Sequence, residues 1–366
     1  MISERDSDRI LIVSVLLLVS VGVVMVLSTS YVVALKRVGD EYYYVKKHLV
    51  FVFMGLSLFV AGSRIPYHIY RKLAYPLLIV AAICLALVLI PGIGHKVGGA
   101  RRWLGVAGFT FQPSELAKFA TVVFLAYSLE AKKDYIQKFS TGFLPNIIIP
   151  GALLGLIVIE PDLGTTVTIA MIVGIMCFVG GVRLSHMALI GAAGACAALF
   201  VISKFAYMKT RILVFLDPWK YPDGAGFQTI QSFLAFGSGG ISGVGLGDGK
   251  QKLFYLPEAH TDYIFSVIGE ETGLLGVMFV VVLYAAILVS GLKIAAKTRD
   301  AFGSYLALGI TLMLVLQAAI NMAVVMGALP PKGLPLPFIS YGGTSLLMSL
   351  FAAGVLLNVC IRGNEA

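Results

Sequence analysis

Long apolar runs recur along nearly the whole chain and constrain its fold more than any other feature. Each run holds about 20 residues, which lets an α-helix cross a hydrocarbon core about 30 Å thick. The predicted spans are residues 10–28, 48–62, 75–91, 114–130, 143–159, 164–181, 186–203, 263–294, 303–328 and 343–361. We therefore expect an all-α polytopic membrane protein with about ten transmembrane helices. It forms a single integral membrane domain, residues 1–366, with a large extracytoplasmic loop, about 204–262, between helices 7 and 8.

The composition excludes other architectures. Hydrophobic residues make up 58% of the chain and charged residues 13%, more apolar surface than a soluble domain of this size can bury. A β-barrel is excluded because its strands are about 10 residues long and alternate in polarity. No small-residue cleavage pattern follows the first run, so we expect an uncleaved anchor. The four cysteines lack metal or disulfide spacing.

The distribution of Lys and Arg gives the orientation. Counted over all segments, it hardly distinguishes the two sides, but long loops translocate largely regardless of charge. With the 204–262 loop discounted, the distribution favours cytoplasmic N- and C-termini. Basic residues left on the outer side either bind an anionic ligand or contact lipid headgroups.

Segment 92–113 is rich in Gly, basic and aromatic residues. Arg101 and Arg102 are candidates to hold phosphate, and Trp103 offers a flat amphipathic face. An interfacial Trp with arginine anchors explains the same pattern. Glu115 and Lys118 follow and share a helix face; Lys118 falls well inside a span, where it serves either a structural ion pair or a site.

Three further segments interrupt the apolar pattern. The turn 160–165 carries two carboxylates that can coordinate a hard cation, although turn and cap chemistry explains them equally well. The Gly-rich stretch 237–250 lacks the strand and the Lys-Ser/Thr pair of a nucleotide loop, so a flexible hinge is expected. Four prolines interrupt 329–345, which predicts irregular backbone, either lining a cavity or standing clear of the bilayer.

Titratable residues crowd the stretch Lys252–Phe265, at the mouth of an apolar helix. Charge placed there is costly, which favours a functional site. Thr261-Asp262 is also a good helix N-cap, and this structural interpretation is the stronger one from the residues alone.

Motifs in order along the chain together resemble the signature of the SEDS family, the shape, elongation, division and sporulation proteins. They are Arg101-Arg-Trp, Gln112-Pro-Ser-Glu-Leu-Ala-Lys118, Glu160-Pro-Asp-Leu-Gly-Thr165, Leu256-Pro-Glu-Ala-His-Thr-Asp-Tyr-Ile-Phe265 with Gly269-Glu-Glu, and Lys332-Gly-Leu-Pro-Leu-Pro-Phe-Ile-Ser-Tyr-Gly-Gly343. The residues of these motifs resemble those of the division branch more than those of the elongation branch. Glu160 departs from the family pattern, in which many members have Gln.

The resemblance implies a peptidoglycan glycosyltransferase in the bacterial cytoplasmic (inner) membrane. Such an enzyme polymerises lipid II at the outer face and releases undecaprenyl pyrophosphate. The implied partners are a class B penicillin-binding protein, which is a transpeptidase, and other divisome proteins, with no nucleic acid. The family's essential aspartate falls on Asp262.

We therefore expect Asp262 to be the general base for the attacking sugar hydroxyl. Arg101, Arg102, Lys118 or a divalent cation (Mg or Mn) is expected to neutralise the leaving pyrophosphate. Glu258 is a second candidate for activation or metal contact, and His260 is expected to form local hydrogen bonds. The predicted substrate-binding residues are Arg101, Arg102, Trp103, Glu115, Lys118, Glu258, His260, Lys332 and Ser340.

Two other function classes fit the composition. A transporter that flips the lipid-linked precursor also has broken helices and buried charge, but its polar groups belong near the midplane and its halves often repeat. No inverted repeat is evident here, and the polar groups concentrate on one face. A non-catalytic scaffold of the division machinery is the third possibility.

Overall fold

The computed structural model describes residues 4–97, 100–106, 109–204, 206–224, 226–252, 256–257 and 259–363, and most of them are helical. The helices are α1 (Glu4–Val38), α2 (Tyr43–Arg64), α3 (His68–Leu89), α4 (Pro113–Ala131), α5 (Leu144–Ile159), α6 (Leu163–Val179), α7 (Leu184–Lys204), α8 (Ala206–Leu216), α9 (Phe227–Gly239), α10 (Ile264–Lys297), α11 (Ala301–Val325) and α12 (Gly343–Arg362).

Several of these helices are long and apolar enough to cross a membrane. Among the described residues there are 6, namely α1, α2, α5 with the π turn before it, α10, α11 and α12. Shorter apolar helices lie within α3, α6 and α7. The prediction of a multi-pass helical membrane protein is confirmed, and each predicted span coincides with a helix.

A small sheet corrects the all-α prediction. Strands β1 (Gly94–Val97), β2 (Ala100–Val106) and β3 (Phe109–Phe111) form an antiparallel sheet in the order β1-β2-β3. In β2, Ala100 and Leu104 are buried while Arg101 is exposed, the alternation of a half-buried strand. The strands are too short for this period to stand out in a Gly-rich stretch.

The segment predicted as a long loop, 204–262, contains α8, α9 and a short 3₁₀ turn. Ile230 and Ala235 of α9 are buried, and its Ser232 hydroxyl donates to the Val325 carbonyl at the end of α11 (2.6 Å). Helix α9 therefore packs against the bundle. Its apolar residues also have the amphipathic spacing of a surface helix.

The core is built on α4, α11 and α12, which are buried over most of their length. Helices α2 and α12 approach closely, because a Cβ on Gly354 would lie 2.2 Å from the Phe59 carbonyl oxygen. Helix α10 is broken at Gly273, where φ is 64° and ψ is −162°. Only glycine adopts that conformation at little cost, so this residue separates a short outer piece of α10 from the long remainder.

Candidate functional site

Asp262 lies immediately before α10 and is partly exposed. Its carboxylate faces Gly333, where an added Cβ would be 2.6 Å from Oδ2. From α11, Asn321 Nδ2 donates to the Asp262 carbonyl (2.8 Å) and to the Leu334 carbonyl (2.6 Å). One buried amide thus holds the Asp262 backbone and the facing segment together.

That facing segment, residues 329–342, is irregular, and its residues 334 and 336–340 are buried inside the bundle. Gln317 Nε2 of α11 donates to the Pro335 carbonyl (2.9 Å), and the Tyr284 hydroxyl of α10 donates to the Pro337 carbonyl. Irregular backbone at membrane depth needs such partners from the surrounding protein. These hydrogen bonds hold the second half of the segment against α10 and α11.

Ser340 links the same segment to the Asp262 region. Its hydroxyl donates to the Thr261 carbonyl (2.5 Å) and accepts from the Leu336 amide (2.8 Å). The Tyr341 amide donates to the His260 carbonyl (2.9 Å). Ser340, predicted to bind substrate, thus joins the backbone of the facing segment to that of Thr261.

His260 lies in an aromatic cluster. Its ring centroid is 5.2 Å from Tyr44 and 5.7 Å from Tyr341. Aromatic rings at these separations pack favourably in tilted or edge-on arrangements. The expected local role of His260 is consistent with this packing.

Lys118 and Glu115 form a buried ion pair on α4. Lys118 Nζ is 2.9 Å from Glu115 Oε1, and the two side chains are 2% and 3% exposed. The ammonium also donates to Gln317 Oε1, the amide that holds Pro335. Through Gln317, the ion pair therefore supports the 329–342 segment.

Asp162 ties the starts of α4 and α6 together. Its carboxylate accepts from the Thr165 amide (3.1 Å) and hydroxyl (2.8 Å), which caps α6. It also accepts from Gln112 Nε2 (3.2 Å) and the Ser114 hydroxyl (3.4 Å). The helix cap expected at this turn is present, and the Asp162 side chain supplies it.

Glu160 is 1% exposed, and neither of its carboxyl oxygens has a hydrogen-bond partner among the described residues. Burial raises the pKa of Glu160 to about 8; the neighbouring Asp162 raises it further, and Arg102 opposes the shift. Arg102 itself donates to the carbonyls of Glu160 (3.1 Å) and Pro161 (2.5 Å). The guanidinium thus holds the turn.

Lys332 and Arg211 bring positive charge to this region. Burial lowers the pKa of the Lys332 ammonium, nearby Arg211 lowers it further, and Asp162 opposes the shift. Arg211 and Asp262 both lie close enough to the Tyr263 hydroxyl for their charges to influence it. Arg211, on α8, was absent from the predicted site; its only sequence signal was the basic triplet 209–211 between two spans.

Helices α4, α6 and α12 begin close together, because Asp162, the N-cap of α6, accepts from Gln112 and Ser114 at the start of α4. The Gln112 amide, before α4, donates to the Thr344 hydroxyl at the start of α12 (3.1 Å). Helix N-termini carry partial positive charge and bind anions. Together with Lys332 and Arg211 they make a site suited to a negatively charged group beside a carboxylate.

The other predicted residues have different positions. Arg101 is exposed on β2, and Trp103 pairs with His95 across the β1–β2 ladder. Successive residues of a strand point to opposite faces, so Arg101 and Arg102 do not share a direction. Glu258 lies outside the described residues. Within the described part of the chain, no three His, Cys, Asp or Glu residues come together as metal ligands.

Comparisons with known proteins agree on one family. A family model described as cell cycle protein, which covers FtsW, RodA and SpoVE, matches residues 8–364. A probable peptidoglycan glycosyltransferase FtsW of Trichlorobacter lovleyi is 47% identical over 354 residues, 97% of this chain and 93% of the relative. Stage V sporulation protein E of Bacillus subtilis is 40% identical over 97% of each chain.

Solved structures resemble the whole chain. One chain of a peptidoglycan synthase complex, in which polymerization and crosslinking are coordinated, matches with a TM-score of 0.80 and 28% identity, covering 97% of this chain and 98% of the other. The rod shape determining protein RodA of Thermus thermophilus matches with a TM-score of 0.72 and 26% identity, covering 97% of each.

Proposed function

Since the chain belongs to the FtsW, RodA and SpoVE family of cell cycle proteins, we propose that it is a peptidoglycan glycosyltransferase. It polymerises lipid II into glycan strands and releases undecaprenyl pyrophosphate, in cell division. The similarity to proteins named FtsW supports the division role.

One observation carries the proposed mechanism: the Asp262 carboxylate faces Gly333, the residue that follows Lys332, and the charges of Asp262 and Arg211 both reach the Tyr263 hydroxyl. The Asp262 carboxylate accepts the proton of the attacking sugar hydroxyl. The hydroxyl oxygen bonds to the anomeric carbon of the donor as the bond from that carbon to the pyrophosphate oxygen breaks. The pyrophosphate leaves with the electron pair, and the helix ends, Lys332 and Arg211 stabilise its charge.

A divalent cation (Mg or Mn) fits this site only in part. The Asp162 oxygens already accept hydrogen bonds from three side chains and an amide, which leaves Glu160 as the buried carboxylate with open oxygens. The described residues alone do not form a dedicated cage of protein ligands. No step above depends on a cation.

The membrane placement belongs to the same proposal. The chain crosses the bacterial cytoplasmic membrane ten times, through α1–α7 and α10–α12, with both termini cytoplasmic. The distribution of Lys and Arg outside the 204–262 segment supports this orientation. The site then opens at the outer face, where a class B penicillin-binding protein cross-links the product and other divisome proteins assemble.

Purified protein given labelled lipid II, with and without the transpeptidase partner, tests the function. Wild type is expected to make glycan strands. Asp262→Asn keeps the size and polarity of the side chain but loses the base, so polymerisation falls at least about 100-fold. Thermal unfolding of the variant in detergent stays close to wild type.

The outcomes separate three functions. An Asp262→Asn protein that polymerises at the wild-type rate contradicts the role of this base. Transbilayer movement of lipid II in liposomes without polymer supports a transporter instead. If the protein, with its partner present, makes no polymer and moves no lipid II, the scaffold function is the one that remains.

A further inference from the structure

The Gly-rich loop, residues 240–252, follows α9 and runs past α10 at its break. A break at Gly273 leaves helix amides and carbonyls without their usual partners one turn away. Loop backbone replaces those partners on both sides of the break. The hydrogen bonds run from Val244 N to Glu270 O (3.0 Å), from Gly245 N to Glu271 O (3.1 Å), from Leu274 N to Gly240 O (2.9 Å) and from Leu275 N to Ile241 O (3.2 Å). The loop is therefore pinned to the helix, contrary to the expected flexible hinge.

Two adjacent carboxylates of the outer piece of α10 hold the rest of the loop. Glu270 Oε1 accepts from the amides of Lys250 (2.8 Å) and Gln251 (3.3 Å). Glu271 Oε2 accepts from the Gly247 amide (3.2 Å), and Lys252 Nζ lies 2.7 Å from Glu271 Oε1.

Ser28 of α1 completes this arrangement, which we call the clasp: Ser28, Lys252 and Glu271. The Ser28 hydroxyl lies 2.6 Å from Glu271 Oε1 and 2.9 Å from Lys252 Nζ. Lys252 Nζ also donates to the Gly247 carbonyl (2.6 Å). The side chains of Lys252 and Glu271 are 6% and 0% exposed, so removal of one charge leaves the other buried without compensation.

The clasp brackets Asp262 along the chain. Lys252 precedes Asp262 in the sequence. Glu271 follows Asp262 and lies on the first piece of α10, before the break at Gly273. The intervening backbone is anchored further by buried Leu256 and Ala259. Both ends of the segment that carries the carboxylate are thus fixed by one buried ion pair.

We propose that Lys252 and Glu271 are positioning residues for Asp262: their ion pair joins the two ends of its segment and so sets where the carboxylate stands against Gly333. The clasp acts through backbone placement. This inference rests on the proposed function, because its main readout is glycan synthesis.

Four variants test the clasp, with lipid II polymerisation measured as kcat and KM. Lys252→Met is expected to lower kcat at least about tenfold with KM changed by less than about threefold, as expected when placement of a reacting group is lost. Lys252→Arg keeps the charge and its donors and should recover most of that loss. Lys250→Met is the matched control, because Lys250 is exposed two residues away and its Glu270 contact uses only its amide.

The double variant Lys252→Met/Glu271→Gln guards against misfolding, since it leaves no buried charge unpaired. It is expected to retain its Tm yet remain slow. A wild-type kcat in the double variant overturns the proposal, as does an equal loss in Lys250→Met.

Hydrogen exchange separates this inference from the proposed function. The amides of Leu256 and of residues 259–263 should exchange faster in the double variant than in wild type and Lys250→Met. If wild type makes no glycan, the proposed function fails, and exchange alone decides the clasp: unchanged protection of these amides overturns it.

Discussion

The carboxylate of Asp262 lies against the α-carbon of Gly333, with only 2.6 Å between Oδ2 and the place of a Cβ. Real Cβ atoms do not come this close, so Gly333→Ala must displace the carboxylate, which is the movable end of a side chain. We expect polymerisation to fall at least about tenfold, a barrier increase of about 1.4 kcal/mol, with little change in Tm.

Gly342→Ala is the matched control for this prediction. It lies in the same segment, and its Cβ would meet Ser345 and Pro335 at 3.7 and 3.8 Å, ordinary contact distances. Its activity should match wild type. Wild-type kinetics in Gly333→Ala would show that the carboxylate position seen here is unimportant for the reaction.

The buried Lys118–Glu115 pair makes a prediction about stability. Lys118→Met leaves the Glu115 carboxylate without its ammonium partner and is expected to cost about 3–5 kcal/mol. The double variant Lys118→Met/Glu115→Gln removes both charges and should recover most of that loss. Since Lys118 contacts Gln317 and supports the Pro335 region, the double variant should polymerise within about tenfold of wild type. Thermal unfolding and lipid II assays measure both effects; a stable but inactive double variant would instead mean that Lys118 acts on substrate.

Glu160 makes a prediction about pH. Its pKa is raised from 4.5 to about 8, so folding favours the neutral carboxyl. Below pH 4.5 the folded and unfolded chains are both protonated and the contribution is fully present. As pH rises towards 8 the unfolded chain loses this proton first, and stability falls.

Glu160→Gln removes this dependence. Relative to wild type, it should gain at least about 1 kcal/mol between pH 5 and pH 8, or about 2–4 °C in Tm. Asp134→Asn, at an exposed position, serves as the control. Thermal unfolding curves of Glu160→Gln and wild type that stay parallel across this pH range would contradict the prediction.

The helices were predictable because their signal is long and redundant. An apolar run such as 303–328 tolerates a few polar residues and still reads as a helix. The start of α4 was equally clear, since Pro113 suits the first turn of a helix. The sheet at 94–111 was missed because strands of a few residues carry too little periodicity.

The site was only partly predictable, because its partners come from distant segments. Gln317 and Asn321 are polar residues four apart in an apolar span, so they share one helix face. That spacing in an apolar span is a sequence signal for buried hydrogen bonds. Arg211 and Asp162 join Lys332 only through tertiary packing, for which the sequence offers no distance.

The four prolines of 329–342 give that segment a surplus of acceptors, because a proline residue has a carbonyl but no backbone N–H. The donors come from outside: an amide at Gln317, an amide at Asn321 and a phenol at Tyr284. These three donors and the segment that they hold depend on one another. Replacing the two amides by leucine would leave the carbonyl oxygens of Leu334 and Pro335 without these donors, so a change in the helix requires a matching change in the segment.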